Sequence, residues 1–231
     1  MCKRKNNNAA REILHGVMEL GGEVDAAPFN ALLTGLGKGR DIEGMNKLLA
    51  KMQELNIRPS VVTFGILLKH LCAAWRVDEA LDVFNKLRGK GESNLFGVEP
   101  DVGGEALILL EEMKTGSKHQ PNTIMYNCLI DGFCKAGNID KAHELFDQMN
   151  EEGVHPNVVT LNVMVNGMCR SGRVHCAVEF FNAMKGKGIK GNAATYTPLI
   201  SAFYGVNNID KAMQFLDEML SSGCSPDAVV Y

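Results

Sequence analysis

Hydrophobic residues recur along this chain at spacings of three and four, in pairs of short segments separated by polar breaks. That spacing places them on one face of an α-helix. Residues 123–157 show the pattern clearly, with a polar break at 136–138 and apolar positions at Tyr126, Leu129, Ile130, Phe133, Ala142, Leu145, Phe146 and Met149. Gly153 follows, as is typical of the residue that ends a helix. This segment is therefore predicted to form an antiparallel pair of helices.

The same pattern repeats every 35 residues, as the equivalent positions Asn127, Asn162 and Thr197 illustrate. The second halves of the units follow the same period at Phe146, Phe181 and Leu216, at Met149, Met184 and Met219, and at Gly153, Gly188 and Gly223. One hairpin cannot bury both of its apolar faces, so neighbouring hairpins must stack to build a core. The repeat predicts an all-α fold.

The period also divides the chain into units. We expect the tail of a preceding repeat at 1–25, full repeats at 26–60, 123–157, 158–192 and 193–227, a repeat with an extended end at 61–101, a truncated repeat at 102–122, and the start of a cut repeat at 228–231. The truncated repeat lacks a first helix. The linker 89–104 could span about 50 Å, which exceeds the roughly 18 Å length of a helix, so the chain could run back along one helix to reach the truncated repeat. A deletion in the gene model would also explain the missing first helix, and both explanations remain open. The chain is expected to be a fragment of a longer array.

Composition narrows the possible partners. The formal net charge is -3, whereas proteins held to nucleic acid by diffuse charge are strongly basic. A nucleic-acid partner would therefore need individually placed contacts. No stretch approaches the roughly 18 apolar residues of a membrane span, and no apolar signal-peptide core follows the basic N-terminus. We expect no membrane association.

The sequence offers no catalytic or metal-binding constellation. Its seven cysteines contain no C-x-x-C pair, the spacing common in zinc sites. Cys72, Cys134 and Cys169 occupy one place in the repeat, which favours small buried packing residues and a reducing compartment. No Ser-His-Asp or paired-carboxylate arrangement stands out. We therefore predict a protein that is not an enzyme, with no catalytic residues, no metal and no cofactor.

At residues 126–137 the sequence Y-N-C-L-I-D-G-F-C-K-A-G, together with 158–162 and 152–157, resembles the pentatricopeptide repeat family, P-class. The resemblance covers roughly 26–231. It implies an α-α solenoid, a right-handed superhelix whose groove binds single-stranded RNA at one base per hairpin, with no small-molecule substrate. It further implies organelle transcript processing, stabilisation or translation by occupancy, in the mitochondrion or chloroplast, although no complete transit peptide is present.

The resemblance also assigns roles by position in each repeat. Base reading would fall to the fifth and last residues, which are Asn30 with Ser60, Gly65 with Asp101, Asn127 with Asn157, Asn162 with Asn192, and Thr197 with Asp227. Base wedging would fall to the second residue, which is Ala27, Val62, Ile124, Val159 or Ala194. Phosphate contact would fall to Lys38, Lys135 and Arg170. Gly65 departs from the pattern because it has no side chain to read a base.

By the family's code, Asn with Ser is expected to read cytosine, Asn with Asn a pyrimidine, and Thr with Asp guanine, running 5′ to 3′ along the chain. Two alternatives stay open. Asn157, Asn192 and Asp227 precede helices, where Asn and Asp commonly cap, and capping does not exclude base reading. The chain could also be a protein-binding solenoid of the tetratricopeptide type, although the 35-residue period and the missing W-L-G-Y pattern disfavour this.

Overall fold

The computed structural model describes residues 26–55, 57, 59–87 and 121–225. Within these ranges all regular structure is helical, as predicted, and comprises α1 Ala26–Lys38, α2 Ile42–Glu54, α3 Val61–Ala73, α4 Val77–Leu87, α5 Thr123–Lys135, α6 Ile139–Glu151, α7 Val158–Arg170, α8 Val174–Gly186, α9 Ala193–Gly205 and α10 Ile209–Ser221. The predicted segments 1–25, 102–122 and 228–231 lie outside the described residues. None of the described helices is long and apolar enough to cross a membrane.

The chain forms two compact units, Met1–Cys128 and Leu129–Tyr231. In the first unit α1 packs on α2 and on α3, and α3 packs on α4. In the second unit α7 packs on α8 and on α9, and α9 packs on α10. Within each unit, therefore, the first helices of consecutive hairpins lie side by side. This arrangement brings equivalent positions of neighbouring hairpins onto one surface.

The apolar positions of the sequence pattern form the core. In the hairpin α5–α6, Leu129, Ile130, Ala142, Leu145 and Met149 are all fully buried. The equivalent side chains of the other hairpins are buried as well, among them Phe29, Leu33, Met45, Phe64, Leu68, Leu161, Val165, Phe181, Leu199 and Met219. Burial of these apolar faces, rather than helix propensity alone, stabilises helices of this length.

A left-handed residue closes the first helix of each hairpin. Gly137 has φ +80°, a conformation that glycine adopts without steric penalty. The next residue, Asn138, donates its backbone N–H to the Phe133 carbonyl at 2.9 Å, and its side chain accepts from the Lys141 N–H at 3.1 Å. Asn138 thus satisfies an orphan carbonyl of α5 and an orphan N–H of α6, which makes the turn short.

The turn that follows the second helix of a hairpin contains the glycines that were predicted to end these helices. Gly153, Gly188 and Gly223 have φ values of +72°, +84° and +76°. At Gly188 the backbone N–H donates to the Lys185 carbonyl at 2.9 Å, and the N–H of Ile189 donates to the Met184 carbonyl at 3.1 Å. This pair of bonds is the Schellman motif. The same pair of bonds ends α6, α8 and α10 at equivalent residues.

Neighbouring first helices approach each other most closely where a glycine faces a larger residue. A Cβ placed on Gly167 of α7 would lie 2.4 Å from Cys134 Sγ of α5, and one placed on Gly37 of α1 would meet the His70 ring of α3. The small residue is thus on the later helix in one pair and on the earlier helix in the other. Either arrangement lets the two backbones come close, which sets the spacing between hairpins.

Candidate nucleic-acid interface

Four of the five predicted base-reading residues of the first helices are partly exposed, whereas Asn127 of α5 is buried. Asn30 and Gly65 are half-buried on α1 and α3, and Asn162 and Thr197 are half-buried on α7 and α9. Residues 2, 5, 9 and 13 of a helix follow one another along a single face at spacings of three and four. Helical geometry therefore accounts for their common orientation within each hairpin.

In the second unit this face forms an open groove of about 620 Å³, within the range of sites that accept small ligands. Asn162 and Thr197 both line the groove, with Ala194 and Arg170 beside them. The other lining residues are Asp131, Val163, Asn166, Cys169, Pro198, Ser201 and Ala202. The groove therefore combines hydrogen-bonding side chains with apolar wall and one cation.

The predicted wedging residues are exposed at the start of each first helix. Val62, Ile124 and Val159 are 61%, 66% and 48% exposed, and Ala27 and Ala194 are exposed as well. Single exposed apolar residues are ordinary. The same exposure recurs at the second position of all five described hairpins. Val62, Ile124 and Val159 therefore present apolar surface on the outside of their hairpins.

The three predicted phosphate-contacting residues differ in their partners. Lys38 and Arg170 are exposed, and neither forms an ion pair within the part of the chain that the structure describes. Lys135 instead donates to Asp131 four residues earlier. Exposed pairs of this kind are worth only about 0–1 kcal/mol, yet Asp131 offsets the positive charge of Lys135 locally. Among the residues that line the groove of the second unit, Arg170 is the cation and Asp131 is the anion.

Two of the last residues of the repeats, Ser60 and Asn157, cap the helices that follow them. Asn157 Oδ1 accepts from the backbone N–H groups of Val159 and Thr160 at 2.9 and 3.2 Å. Ser60 Oγ accepts from the Thr63 N–H at 3.4 Å. At Asn192 the contacts with the helix start run through the backbone, because its N–H donates to Thr195 Oγ1 at 3.0 Å and its carbonyl accepts from the Thr195 N–H at 2.8 Å. Capping fixes the orientation of the Ser60 and Asn157 side chains at the start of α3 and α7. Asp101 and Asp227 lie outside the described residues.

One set of polar residues at this surface was not predicted. Thr63 Oγ1 donates to Asn30 Oδ1 at 2.7 Å, and Thr195 Oγ1 donates in the same way to Asn162 Oδ1. Each threonine is the third residue of its repeat and is fully buried. The signal was present in the sequence, because Thr63, Thr160 and Thr195 recur at one position of otherwise apolar first turns.

Three cysteines occupy one position of the first helices, and one of them, Cys134, lies at the contact between α5 and α7. Burial raises the pKa of Cys134 to about 12 and that of Cys169 to about 12. Both thiols are therefore protonated at neutral pH and act as small apolar side chains. Cys72 and Cys134 are buried, as the packing interpretation predicts, whereas Cys169 is half-buried and lines the groove. Within the described ranges no group of three His, Cys, Asp or Glu side chains could hold a metal ion.

Comparison with family models identifies the repeat. The model described as "PPR repeat family" matches residues 24–73, 121–170, 156–205 and 194–231, and the model described as "PPR repeat" matches 62–92. Together these matches cover well over half of the chain.

Similar curated proteins carry the same repeat. The mitochondrial pentatricopeptide repeat-containing protein At3g61520 of Arabidopsis thaliana is 53% identical over 90 residues, covering 39% of this chain and 12% of that protein. The chloroplastic protein At3g09650 of the same organism is 26% identical over 159 residues, covering 63% of this chain and 20% of that protein. The chain thus spans a minor part of the length of these relatives.

Solved structures of the same architecture are also similar. The crystal structure of the pentatricopeptide repeat protein PPR10 in complex with an 18-nucleotide psaJ RNA element aligns with a TM-score of 0.63 and 26% identity, over 91% of this chain and 27% of that one. The PPR domain of Arabidopsis thaliana protein-only RNase P 1 in complex with tRNA aligns with a TM-score of 0.57 and 14% identity, over 86% and 90% of the two chains. The fold is an α-α solenoid of helical hairpins.

Proposed function

Because this chain belongs to the pentatricopeptide repeat family, we propose that it binds single-stranded RNA sequence-specifically, with one base read by each complete hairpin. The groove of the second unit carries the proposal, since it places Asn162 and Thr197 together with the cation Arg170. Short amide and hydroxyl side chains can donate to and accept from the edge of an unpaired base. The relative PPR10, which was crystallised with an RNA element, supports the same interpretation.

Each hairpin would hold its base in a similar way. The exposed second-position residues, such as Val159, would wedge against the face of the base, while the fifth-position residue contacts its edge. Arg170 would contact a phosphate of the same strand. Contacts placed in this way make binding compatible with a net charge of -3, because affinity then does not depend on a diffuse positive field.

The order of reading residues gives a target pattern. From 5′ to 3′, Asn30 with Ser60 would read cytosine, and Gly65 with Asp101 would leave the next base unspecified. After a possible gap, Asn127 with Asn157 and Asn162 with Asn192 would each read a pyrimidine, and Thr197 with Asp227 would read guanine. Stacking of a base on a protein surface contributes roughly 1–3 kcal/mol. A few reading hairpins therefore give modest affinity, and the isolated chain would bind its RNA weakly.

The biological role would be occupancy of an organelle transcript. The names of the relatives At3g61520 and At3g09650 place them in the mitochondrion and the chloroplast, which supports an organelle location. A hairpin array bound to a transcript would block nucleases or keep the RNA unpaired, and so would affect processing, stability or translation. No part of this role requires catalysis by the described residues.

Substitution at the groove tests the proposal. Asn162→Ala removes a side chain that lines the groove, and we expect it to weaken binding to patterned RNA. Asn182→Ala is a matched control, because Asn182 is exposed on the second helix α8 and is not among the groove residues. Thr197→Asn should shift the preferred last base from guanine toward uracil. Equal binding by all three variants, with unchanged base preference, would rule out the groove as the RNA site.

The alternative is a groove that binds a peptide, as in a tetratricopeptide solenoid. A folded chain that binds neither patterned nor random RNA at high micromolar concentration would favour this reading over the proposal.

A further inference from the structure

Two asparagine amides of the proposed reading surface are held by hydroxyl groups from the next hairpin. Thr63 Oγ1 of α3 lies 2.7 Å from Asn30 Oδ1 of α1, and Thr195 Oγ1 of α9 contacts Asn162 Oδ1 of α7. The partners are 33 residues apart in both cases. The contact is therefore a repeated feature of the hairpin stack.

The surroundings of each hydroxyl fix the direction of its hydrogen bond. A hydroxyl group has one proton and two lone pairs. The Ser60 backbone N–H donates to Thr63 Oγ1 at 2.9 Å, and the Asn192 backbone N–H donates to Thr195 Oγ1 at 3.0 Å. Each oxygen already accepts from the backbone, and its single proton has two oxygens within reach. Thr63 Oγ1 is 2.7 Å from Asn30 Oδ1 but 3.3 Å from Ser60 Oγ, and Thr195 Oγ1 is closer to Asn162 Oδ1 than to Asn192 Oδ1, which is 3.3 Å away. The shorter contact in each case is with the asparagine of the preceding hairpin, so the proton goes to that amide oxygen. Both threonines are fully buried, so water does not compete for that proton.

The amide orientation follows from this bond. Once Oδ1 of the asparagine faces the threonine, Nδ2 must point to the opposite side. Within the described part of the chain, the amide nitrogens of Asn30 and Asn162 have no protein hydrogen-bond partner. Asn162 lines the groove, so its unused group there is an N–H donor. An asparagine free to rotate would offer either a donor or an acceptor.

We propose that Thr63 and Thr195 are positioning residues that fix Asn30 and Asn162 as hydrogen-bond donors toward the bound base. Each asparagine then selects a base with an acceptor at the contacted edge, such as a carbonyl oxygen of uracil or cytosine, over the amino group of adenine. The inference rests on the proposed RNA-binding function. It adds that the base preference of one hairpin depends on a residue of the next.

Thr195→Val and Thr63→Val test the inference, and each serves as the control for the other. Valine keeps the shape of threonine and removes the hydroxyl. Affinity is measured for RNA oligonucleotides with uracil or adenine opposite the Asn162 hairpin, and separately opposite the Asn30 hairpin. Thr195→Val should reduce the uracil-over-adenine ratio opposite Asn162 by roughly three- to tenfold, the range of one neutral hydrogen bond, and leave the other ratio unchanged. Thr63→Val should do the reverse.

Two further variants separate positioning from a general loss of structure. Thr195→Ser retains the hydroxyl and should retain the preference. Asn162→Asp is isosteric with the wild type and keeps an acceptor for Thr195, but it has no N–H donor, so it should lose the preference for uracil even if Thr195→Val does not fold.

The outcomes are distinguishable. One result is that the wild type prefers uracil over adenine at both hairpins and that Thr195→Val, Thr63→Val and Asn162→Asp all keep this preference. That result would overturn the positioning role and leave RNA binding intact. A wild-type chain without base preference at either hairpin would overturn the proposed function and this inference with it.

Discussion

Gly167 lies where α7 packs against α5, and replacing it with alanine tests how closely neighbouring hairpins must approach. An added Cβ would lie 2.4 Å from Cys134 Sγ and 2.6 Å from Cys134 Cβ. Carbon atoms in contact are normally about 3.5–4.0 Å apart. Rotation about χ1 can move the sulfur atom, but it cannot move Cβ. The two helices must therefore separate by about 1 Å to accept the new methyl group, as the normal carbon spacing requires.

Two opposing terms set the magnitude. Overpacking of a tight contact costs about 1–3 kcal/mol, and the cost here is expected near the upper end because the backbone must move. Alanine is favoured over glycine inside a helix by about 1 kcal/mol. The net loss of unfolding free energy should be roughly 1–2 kcal/mol, which corresponds to a fall in Tm of roughly 2–8 °C for a chain of this size.

Urea unfolding followed by circular dichroism measures this change, with Gly65→Ala as the matched control. Gly65 is also inside a first helix, and a Cβ added there meets no atom within 4 Å. Gly65→Ala should therefore stabilise the chain by about 1 kcal/mol. Combining Gly167→Ala with Cys134→Gly exchanges the small and large residues, as the pair Gly37 and His70 already does, and should recover most of the loss.

The sign of the change in unfolding free energy caused by Gly167→Ala shows whether α5 and α7 are in close contact. If Gly167→Ala stabilises the chain as Gly65→Ala does, the helices are not in the close contact that we describe. The same conclusion follows if the double variant shows no coupling between the two sites.

Three other predictions use the charges, thiols and buried histidine of the described residues. Arg170→Gln should reduce the slope of log RNA affinity against log salt concentration by about 0.7. Lys135→Gln should reduce this slope less, because Asp131 offsets the charge of that lysine. RNA titrations at several salt concentrations measure both slopes. At pH 7.5 iodoacetamide should modify the exposed Cys176 while Cys169 stays unmodified, since burial raises the pKa of Cys169 to about 12; peptide mass spectrometry distinguishes them. Burial lowers the pKa of His70, and neighbouring lysines add to the effect. Near this pKa the unfolded chain therefore binds more protons than the folded chain, so the unfolding free energy should fall as pH drops below about 6.5. The fall should be smaller in His70→Gln, which lacks the titrating imidazole.

Much of the fold follows from the sequence because each hairpin is a local structure. Spacings of three and four defined the buried faces, and residues such as Leu129 and Leu145 are fully buried as expected. Gly153 was predicted to end a helix, and its φ of +72° confirms this. These features depend on residues a few positions apart, where helix geometry and capping rules apply directly.

The contacts between hairpins could not be derived in the same way. The bond from Thr195 to Asn162 and the close approach of Gly167 to Cys134 both join residues 33 positions apart. Their geometry depends on the offset between neighbouring first helices, which side-chain sizes at the contact determine. The sequence placed Asn157 before a helix but left its role open, whereas the structure shows Oδ1 engaged by the Val159 and Thr160 N–H groups.

The proposed RNA binding is tested most directly by fluorescence anisotropy of this chain with labelled RNA. Three probes are needed: a single-stranded RNA with the pattern of cytosine, pyrimidines and guanine given above, a random RNA of equal length, and DNA of the patterned sequence. We predict binding to the patterned RNA that is tighter than binding to either control. Equal affinity for all three, or no binding by the folded chain at high micromolar concentration, would contradict sequence-specific RNA recognition by this groove.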